Sequence, residues 1–369
     1  MSGRLTISLA AIVQNYQTLR AGIESAGIES AGIESAEVGA SEATGIAGVV
    51  KANAYGLGLE QVSEALYIAG CRNYFVATAS EAVQLRRLLD DVNIFVFNGV
   101  TPSTLEELLD SRITPVLNTQ TQIECWNPTG KPGAIHIDTG MQRLGLSVSQ
   151  VRAATANLQF EPVLLLSHFA RADEQDPDAA QDQTQAFETA TAELRRRYPA
   201  ARLSFSNSAA TLAGGVGDDL CRPGIALYGG NPYVHADNPM QPTVTLEGQV
   251  LQIREVAQGT AVGYGGSFVT SRTTRIASIG VGYADGVPRL LSNNGNAVLR
   301  GQRCPIIGRV SMDMIQVDVT DVEGVVEGSW AELVGDGIGI DEIAEQAQTI
   351  GYEVLTGLDA ARRLERVYT

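Results

Sequence analysis

Apolar residues in the first two thirds of the chain form short runs, and stretches with helical spacing lie between these runs. Apolar runs bounded by turn residues are typical of buried parallel strands. We predict strands at residues 46–51, 73–78, 93–98, 112–117, 133–138, 162–168, 202–207 and 224–228. Eight strands that alternate with helices predict an α/β fold, namely a (β/α)8 TIM barrel.

The pattern changes after about residue 236, where helical spacing largely disappears. Segments 245–254, 275–282 and 314–319 alternate or run apolar between glycines, which predicts strands. One short helix is predicted to begin at Asp341, because an aspartate suits a helix cap. We therefore expect a barrel over residues 1–236 and a C-terminal all-β domain over residues 237–369.

A helix is also predicted near the N-terminus, over residues 8–20. It is followed by the sequence Ala-Gly-Ile-Glu-Ser three times over residues 21–35. A period of five residues turns a helix by about 140° per repeat, so the three isoleucines cannot share one face. We interpret the repeat as a duplicated surface excursion and not as a helix that binds a partner.

Composition narrows the class of protein. A hydrophobic content of 44% and a charged content of 18% are ordinary for a globular protein. The net charge of −16 argues against nucleic acid and anionic membrane surfaces as partners. No signal peptide or membrane-spanning run is evident. Four scattered cysteines without CxxC spacing fit reduced thiols, so we expect a cytoplasmic protein.

The chain has only two lysines, and their settings differ. Lys131 lies in a Thr-Gly-Lys-Pro-Gly turn, whereas Lys51 ends the first predicted strand. Burial at a strand end would lower the pKa of Lys51, and an amine needs a lowered pKa to form a Schiff base with a carbonyl. The alternative is a solvated lysine at the mouth of the strand.

Other polar residues also lie at the ends of predicted strands, where a (β/α)8 barrel builds its active site. They are His136, Asp138, Arg143, His168, Asn207, Ser208 and Arg222. Barrels commonly bind phosphate at the loops after the last two strands, and Ser208, Gly224 and Ile225 suit that role. A lysine together with a phosphate site indicates a phosphorylated aldehyde held as an imine, which fits pyridoxal phosphate.

Less specific interpretations compete with this one. His168 on an apolar strand would ordinarily be a core histidine. His136 and Asp138 could be metal ligands, but the chain has only three histidines and no His-x-His pair, so we predict no metal site. The glycines of 335–339 lack the preceding unit that a nucleotide-binding loop requires.

Ordered motifs along nearly the whole chain resemble those of the bacterial alanine racemases. The matching segments are 50–56, 138–145, 167–170, 207–210, 222–229, 262–266, 282–289, 308–313 and 352–353. The segment Val-Lys-Ala-Asn-Ala-Tyr-Gly at 50–56 resembles the cofactor-lysine signature of that family. The resemblance implies a two-domain pyridoxal-phosphate enzyme. It also implies a homodimer in which the β domain of one subunit completes the barrel site of the other.

The resemblance also implies roles for individual residues. Lys51 would bind the cofactor aldehyde and act as one acid–base group, and Tyr264 of the partner subunit would be the other. The residues implied to bind the cofactor are Lys51, Tyr55, Arg143, His168, Asn207, Ser208, Arg222, Gly224, Ile225 and Tyr352. Those implied to bind or admit the substrate are Arg143, Tyr283, Met312 and Asp313.

These roles are chemically coherent. Racemisation needs a proton to leave one face of Cα and another to arrive at the opposite face, which two groups can achieve. A tyrosine, with an ordinary pKa of about 10, needs help to act as a base, and a His168–Arg222 pair could supply it. Arginine does not give up its proton, so Arg222 at the pyridine nitrogen would weaken the ring as an electron sink and suppress side reactions.

Three positions depart from the family, namely His136, Leu57 where a histidine is common and Ser311 where a cysteine is common. Many members have, in place of His136, a lysine that becomes carbamylated and steadies the arginine corresponding to Arg143. Hydrogen bonding from His136 could replace that contact. The implied function is an isomerase that interconverts L- and D-alanine and supplies D-alanine for peptidoglycan. A broader racemase acting on serine and a non-catalytic pyridoxal-phosphate-binding protein stay open as alternatives.

Overall fold

The computed structural model describes residues 2–25, 45–174, 177–215, 218–233, 236–358 and 363–369. Its strands are β1 (Gly3–Ile7), β2 (Gly48–Val49), β3 (Asn73–Val76), β4 (Asn93–Val96), β5 (Thr114–Leu117), β6 (Gly133–Asp138), β7 (Leu146–Ser147), β8 (Pro162–Leu166), β9 (Arg202–Ser204), β10 (Val244–Val256), β11 (Ala261–Val262), β12 (Phe268–Val269), β13 (Thr274–Ile279), β14 (Asn296–Leu299), β15 (Gln302–Pro305), β16 (Ile315–Asp318), β17 (Trp330–Val334) and β18 (Glu365–Tyr368). Its helices are α1 (Leu9–Ser25), α2 (Lys51–Tyr55), α3 (Leu59–Ile68), α4 (Ala79–Leu88), α5 (Leu105–Asp110), α6 (Gln120–Trp126), α7 (Val148–Ala154), α8 (Pro177–Arg197), α9 (Ser208–Leu212), α10 (Ile340–Gln346) and α11 (Gly351–Gly357).

The first sheet is the predicted barrel. Its strands run parallel in the order β2-β3-β4-β5-β6-β8-β9, and β7 pairs separately with β6. Most residues of these strands are buried, as expected for a parallel sheet covered by helices. Inside, Phe75 stacks on Phe95 with ring centroids 4.7 Å apart and on Phe97 at 5.0 Å. The barrel core is therefore filled by side chains.

A short segment around Cys221 closes the barrel between β9 and β2. The Leu220 amide donates to the Leu203 carbonyl at 3.1 Å on one side. On the other side, the Ala47 amide donates to the Cys221 carbonyl at 2.9 Å, and the Cys221 amide donates to the Gly45 carbonyl. This segment takes the eighth position in the barrel.

The eighth strand was predicted at 224–228, and that prediction was wrong. Residues Ile225–Tyr228 form a 3-10 helix, and Gly229 ends it with a φ of 81°. Pro223 has no amide hydrogen for a sheet, and an apolar run of this length is equally compatible with a buried helical turn. The strand predictions at 162–168 and 202–207 also extend beyond the observed strands, which end at Leu166 and Ser204.

The second sheet is mostly antiparallel, with the order β15-β14-β17-β10-β1-β18 and with β13 and β16 joined through β10. The strand β1 pairs antiparallel with β10 and parallel with β18, so residues Gly3–Ile7 lie in this sheet although we had assigned them to the barrel. The helix predicted from Asp341 is present as α10, but the predicted aspartate cap is wrong, because the helix begins at Ile340 with Gly339 as its N-cap. The Asp341 carboxylate instead accepts from the Asn231 amide at 3.0 Å and the Asn238 side chain at 3.1 Å. A second helix, α11, follows. The boundary at 236/237 otherwise stays a prediction.

The N-terminal helix α1 is longer than the predicted range of 8–20, because it continues through the first copy of the repeat to Ser25. It packs through Ile12, Tyr16, Leu19 and Ile23, which recur at helical spacing. The two later copies of the repeat, within 26–35, lie outside the described residues. None of the described helices meets the length and apolarity that a membrane span needs.

Asn15 on α1 ties this helix to the connection between the two sheets. Its side-chain amide donates to the carbonyls of Leu227 at 3.2 Å and Gln241 at 3.0 Å. Its side-chain oxygen accepts from the Gln241 amide at 2.8 Å. Asn15 is buried, and its bond to the Leu227 carbonyl is shielded from water.

We expect Asn15→Ala to lower the free energy of unfolding by about 1–3 kcal/mol, because it leaves the buried Leu227 carbonyl and the half-buried backbone of Gln241 without these partners. The measurement is urea denaturation followed by circular dichroism. Gln14→Ala on the exposed face of the same helix is the matched control and should leave stability unchanged. Equal stability of the two variants would contradict this account of Asn15.

Candidate active site

Lys51 begins a turn of left-handed helix directly after β2. Residues Ala52, Asn53, Ala54 and Tyr55 have φ values of 53°, 55°, 53° and 56°. Each non-glycine residue in this conformation costs about 1–2 kcal/mol, so the surrounding structure must hold the turn. Backbone bonds do part of this work, since the Ala54 amide donates to the Val50 carbonyl at 2.9 Å.

The amine of Lys51 lies near the barrel mouth, with Nζ 5.7 Å from the centre of the Phe97 ring. Burial lowers the pKa of Lys51, the positive charge of Arg143 lowers it further, and Glu81 opposes both effects. A lowered pKa increases the fraction of neutral amine at neutral pH. Lys51 is therefore suited to attack a carbonyl.

Arg222 lies on the closing segment and is buried. One terminal nitrogen donates to the hydroxyl of Ser204, and the other donates to the Ser167 carbonyl at 2.5 Å. Its Nε is buried and has no hydrogen-bond partner among the described residues. Burial lowers the pKa of Arg222 to about 10, so the guanidinium stays charged at neutral pH with one N–H available to an acceptor.

Ser208, Gly224 and Tyr55 form a small polar cluster next to the closing segment. The hydroxyl of Ser208 accepts from the Gly224 amide at 2.9 Å. A Cβ on Gly224 would lie 2.1 Å from the Tyr55 hydroxyl oxygen, so only glycine leaves room for that hydroxyl. Ile225 follows Gly224 and is buried, and Asn207 caps α9 by accepting from the Ala210 amide at 3.2 Å.

Aromatic rings hold Tyr55 in this cluster. It stacks on Tyr228 with ring centroids 4.5 Å apart and meets Tyr352 of α11 at 5.9 Å. Burial raises the pKa of Tyr55, so its hydroxyl keeps its proton and can donate. Hydroxyl groups and a close-approaching backbone suit an anion such as a phosphate.

His136 is held in one tautomer by Asn118. The Asn118 amide nitrogen donates to the carbonyls of Phe97 and Val116, both at 2.8 Å, so its oxygen must be the acceptor. That oxygen lies 2.7 Å from His136 Nδ1, which therefore carries the hydrogen and leaves Nε2 as an acceptor. Burial and nearby Arg222 lower the pKa of His136 to about 4, so the ring is neutral.

Asp138 shapes the loop that carries Arg143. Its carboxylate accepts from the amides of Gly140 at 2.9 Å and Gln142 at 3.1 Å. The Arg143 side chain is exposed, yet its charge lowers the pKa of Lys51, His136 and His168. No group of three or more potential metal ligands occurs among the described residues.

His168 lies among positive charges. Burial lowers the pKa of His168 well below its ordinary value, and Arg222, Arg143 and Lys51 lower it further. Its backbone carbonyl accepts from the Gln183 side chain at 3.3 Å. Within the described part of the chain, no hydrogen bond joins the His168 ring to Arg222, whose partners are Ser204 and Ser167.

Tyr352 is the predicted site residue of the second half that meets the barrel group, whereas the others lie on the surface. Tyr264 is 71% exposed, and Tyr283, Met312 and Asp313 are also exposed. The amide of Tyr283 donates to the Ser311 carbonyl at 3.0 Å, so the loops that carry Tyr283 and Met312 meet. The chain therefore presents two groups of predicted site residues, one at the barrel mouth together with Tyr352 and one on the surface of the second half.

Comparison with known families decides whether the resemblance of the sequence motifs to alanine racemases is correct. One sequence profile, described as alanine racemase, N-terminal domain, matches residues 34–232. A second, described as alanine racemase, C-terminal domain, matches residues 243–368. The chain belongs to the alanine racemase family. The predicted family and fold class are thereby confirmed.

Individual alanine racemases align over the full length of this family member. The catabolic alanine racemase of Agrobacterium fabrum is 43% identical, over 100% of this chain and 92% of that protein. The biosynthetic enzyme of the same bacterium is 37% identical, over 99% and 93%. The crystal structure of alanine racemase from Bartonella henselae with covalently bound pyridoxal phosphate is 37% identical, with a TM-score of 0.88 and full coverage of both chains.

Several residues that shape this alanine racemase site were not predicted. Ser204 and Ser167 hold Arg222, and Asn118 orients His136. Glu81 bonds to the turn that carries Lys51. Only Glu81 had a local signal, because it lies three residues after Thr78 in the pattern of a helix capping box.

We expect nitrogen NMR of the histidine rings to detect His136 as the neutral Nδ1–H tautomer from neutral pH down towards its lowered pKa of about 4. Asn118→Ala removes the acceptor and should allow both tautomers to coexist, whereas the signals of His168 should change little. Protonation of His136 near the ordinary value of about 6.5 would contradict this assignment.

Proposed function

We propose that the protein is a pyridoxal-phosphate-dependent alanine racemase, an isomerase that interconverts L- and D-alanine. Membership of the alanine racemase family supports this reaction. The observation that carries the proposal is the Lys51 amine with its lowered pKa at the mouth of the same barrel as the Tyr55–Ser208–Gly224 cluster. An amine and an anion site in one barrel suit a phosphorylated aldehyde.

The residues present fit pyridoxal phosphate. The amine of Lys51 suits the aldehyde, and the unpartnered Nε–H of Arg222 suits the pyridine nitrogen. The hydroxyls of Tyr55 and Ser208 and the backbone at Gly224 suit the phosphate. We include Asn207, Ile225, His168 and Tyr352 in the binding site as proposals from the family resemblance. When bound, the cofactor supplies an electron sink that makes the Cα–H of an amino acid acidic.

The protein then needs two groups that move protons on opposite faces of Cα. We propose that Lys51 serves one face, because its pKa is lowered towards neutrality. We propose that Tyr264 of the partner subunit serves the other. Tyr264 is 71% exposed in one subunit. Because an acid–base residue in bulk water has nothing to act on, this exposure supports a second copy of the chain whose active site Tyr264 would complete.

The same second copy would complete the substrate site. We propose a homodimer in which Tyr283, Met312 and Asp313 of one subunit face the barrel mouth of the other. Arg143 would bind the substrate carboxylate, because a guanidinium binds a carboxylate through two hydrogen bonds. His136 Nε2 carries no hydrogen, so it is an acceptor that can hold Arg143 in position. Unlike the lysine of many family members, His136 needs no carbamylation to do so.

The cellular role follows from the product. We propose that the enzyme works in the cytoplasm and supplies D-alanine for peptidoglycan. The described cysteines are all free and mostly buried, which suits a reducing compartment. Relatives named catabolic and biosynthetic both align over nearly their whole length, so the same reaction serves both roles in the family.

We expect the purified protein with pyridoxal phosphate to racemise L-alanine and to show a visible absorption band that borohydride abolishes, leaving the label on Lys51. Lys51→Ala should lose about 100-fold or more in kcat, in line with removal of an acid–base group. Lys131→Ala changes the only other lysine and should behave as the wild type.

A chiral assay over several L-amino acids measures the substrate range. Faster turnover of L-serine than of L-alanine would favour the broader racemase. Cofactor bound at Lys51 without any turnover would favour a non-catalytic binding protein.

Activity should return when Lys51→Ala and Tyr264→Ala chains are unfolded and refolded together. Random pairing makes half of the dimers mixed, and each mixed dimer has one intact site of two. We therefore expect about a quarter of wild-type activity. Tyr264→Phe alone should still exchange the Cα hydrogen of one enantiomer with solvent deuterium while losing racemisation. Mixed dimers without recovered activity would contradict the sharing of sites between subunits.

A further inference from the structure

The carboxylate of Glu81 has an unusual set of partners. One oxygen accepts from the amides of Ala77 at 2.9 Å and Thr78 at 3.0 Å, at the start of α4. The other oxygen accepts from the Ala52 amide at 2.6 Å, in the left-handed turn directly after Lys51. One side chain therefore joins the beginning of a barrel helix to the backbone that carries the reactive amine.

Helix capping alone does not require this arrangement. In the capping box of α7, the Gln150 side chain accepts from the amide and hydroxyl of Ser147, both local groups. Glu81 uses only one oxygen in this local way. Its second oxygen serves the left-handed turn, whose four non-glycine residues with positive φ need support from outside.

The charge of Glu81 also acts on the amine. Around the turn, α3 carries Glu60 and Glu64, α11 carries Tyr352 and Glu353, and the barrel loops carry His168 and Arg143. Among the described residues, the charges of Arg143 and Glu81 shift the pKa of Lys51 in opposite directions. Glu81 is thus the negative counterpart of Arg143 at this amine.

We propose that Glu81 is a positioning residue for Lys51. Its carboxylate clamps the left-handed turn through the Ala52 amide and places a negative charge against the turn that carries the amine. This inference rests on the proposed function, in which Lys51 both binds the cofactor and transfers a proton. Glu81 acts through the turn and does not need to touch substrate or cofactor.

The test uses the fact that the chain has only two lysines. Full-length protein, stripped of cofactor with hydroxylamine, is labelled with acetic anhydride at a series of pH values. Peptide mass spectrometry then quantifies Lys51 against Lys131, an exposed internal reference. Labelling reports on Lys51 whether or not the chain is a racemase, so failure of this inference and failure of the proposed function are distinguishable.

Three variants distinguish the effect of the Glu81 charge, the effect of its hydrogen bond to the left-handed turn and the effect of helix capping in general. Glu81→Gln removes the charge and should move the labelling midpoint of Lys51 to lower pH, with Lys131 unchanged. Glu81→Asp keeps the charge but is too short to reach both partners. It should keep the midpoint near that of the wild type. Gln150→Ala removes a capping box remote from Lys51 and should keep both midpoint and activity.

With cofactor restored, we expect both Glu81 variants to lower kcat by about 10- to 100-fold, because a small displacement of a reacting group is costly. The KM for alanine should stay close to that of the wild type. An unchanged Lys51 midpoint in Glu81→Gln, or a kcat no lower than that of Gln150→Ala, would overturn the proposal.

Discussion

The left-handed turn after Lys51 is the constraint on which the site depends. A lysine at the end of a strand would ordinarily extend into solvent, and the turn instead keeps its amine near the barrel mouth beside Phe97. Such a conformation is unfavourable for residues with a Cβ, so it persists only because its neighbours hold it. Glu81 bonds to its beginning and the Arg366 side chain donates to the Gly56 carbonyl at its end.

The segment that closes the barrel also holds a charged residue of the candidate site. The segment around Cys221 completes the parallel sheet, and the next residue is the buried Arg222. Residues that close the barrel therefore also fix a charged group whose Nε–H stays available. A substitution that loosens closure would displace the guanidinium, so fold stability and site geometry cannot vary independently here.

Much of this protein could be predicted from its sequence, and the failures have physical causes. Seven barrel strands were located because burial on both faces leaves a local pattern, whereas the aspartate cap expected at Asp341 is wrong, since Gly339 is the N-cap of that helix. The run at 224–228 was misassigned because periodicity does not separate a short buried strand from a buried helical turn. Residues 3–7 were assigned to the barrel, and no strand was predicted there, because the partners of β1, namely β10 and β18, are distant in sequence.

The sequence by itself determined the family and the fold class and singled out Lys51 as the candidate for the reactive lysine, because motifs and short-range periodicity are properties of neighbouring residues. Only the tertiary structure decided which groups support them. Glu81 and Ala52 are far apart along the chain, as are Asn118 and His136, and no local pattern records that they meet. Hydrogen bonds between distant segments depend on how the barrel brings strand ends together, which is settled by packing of the whole chain.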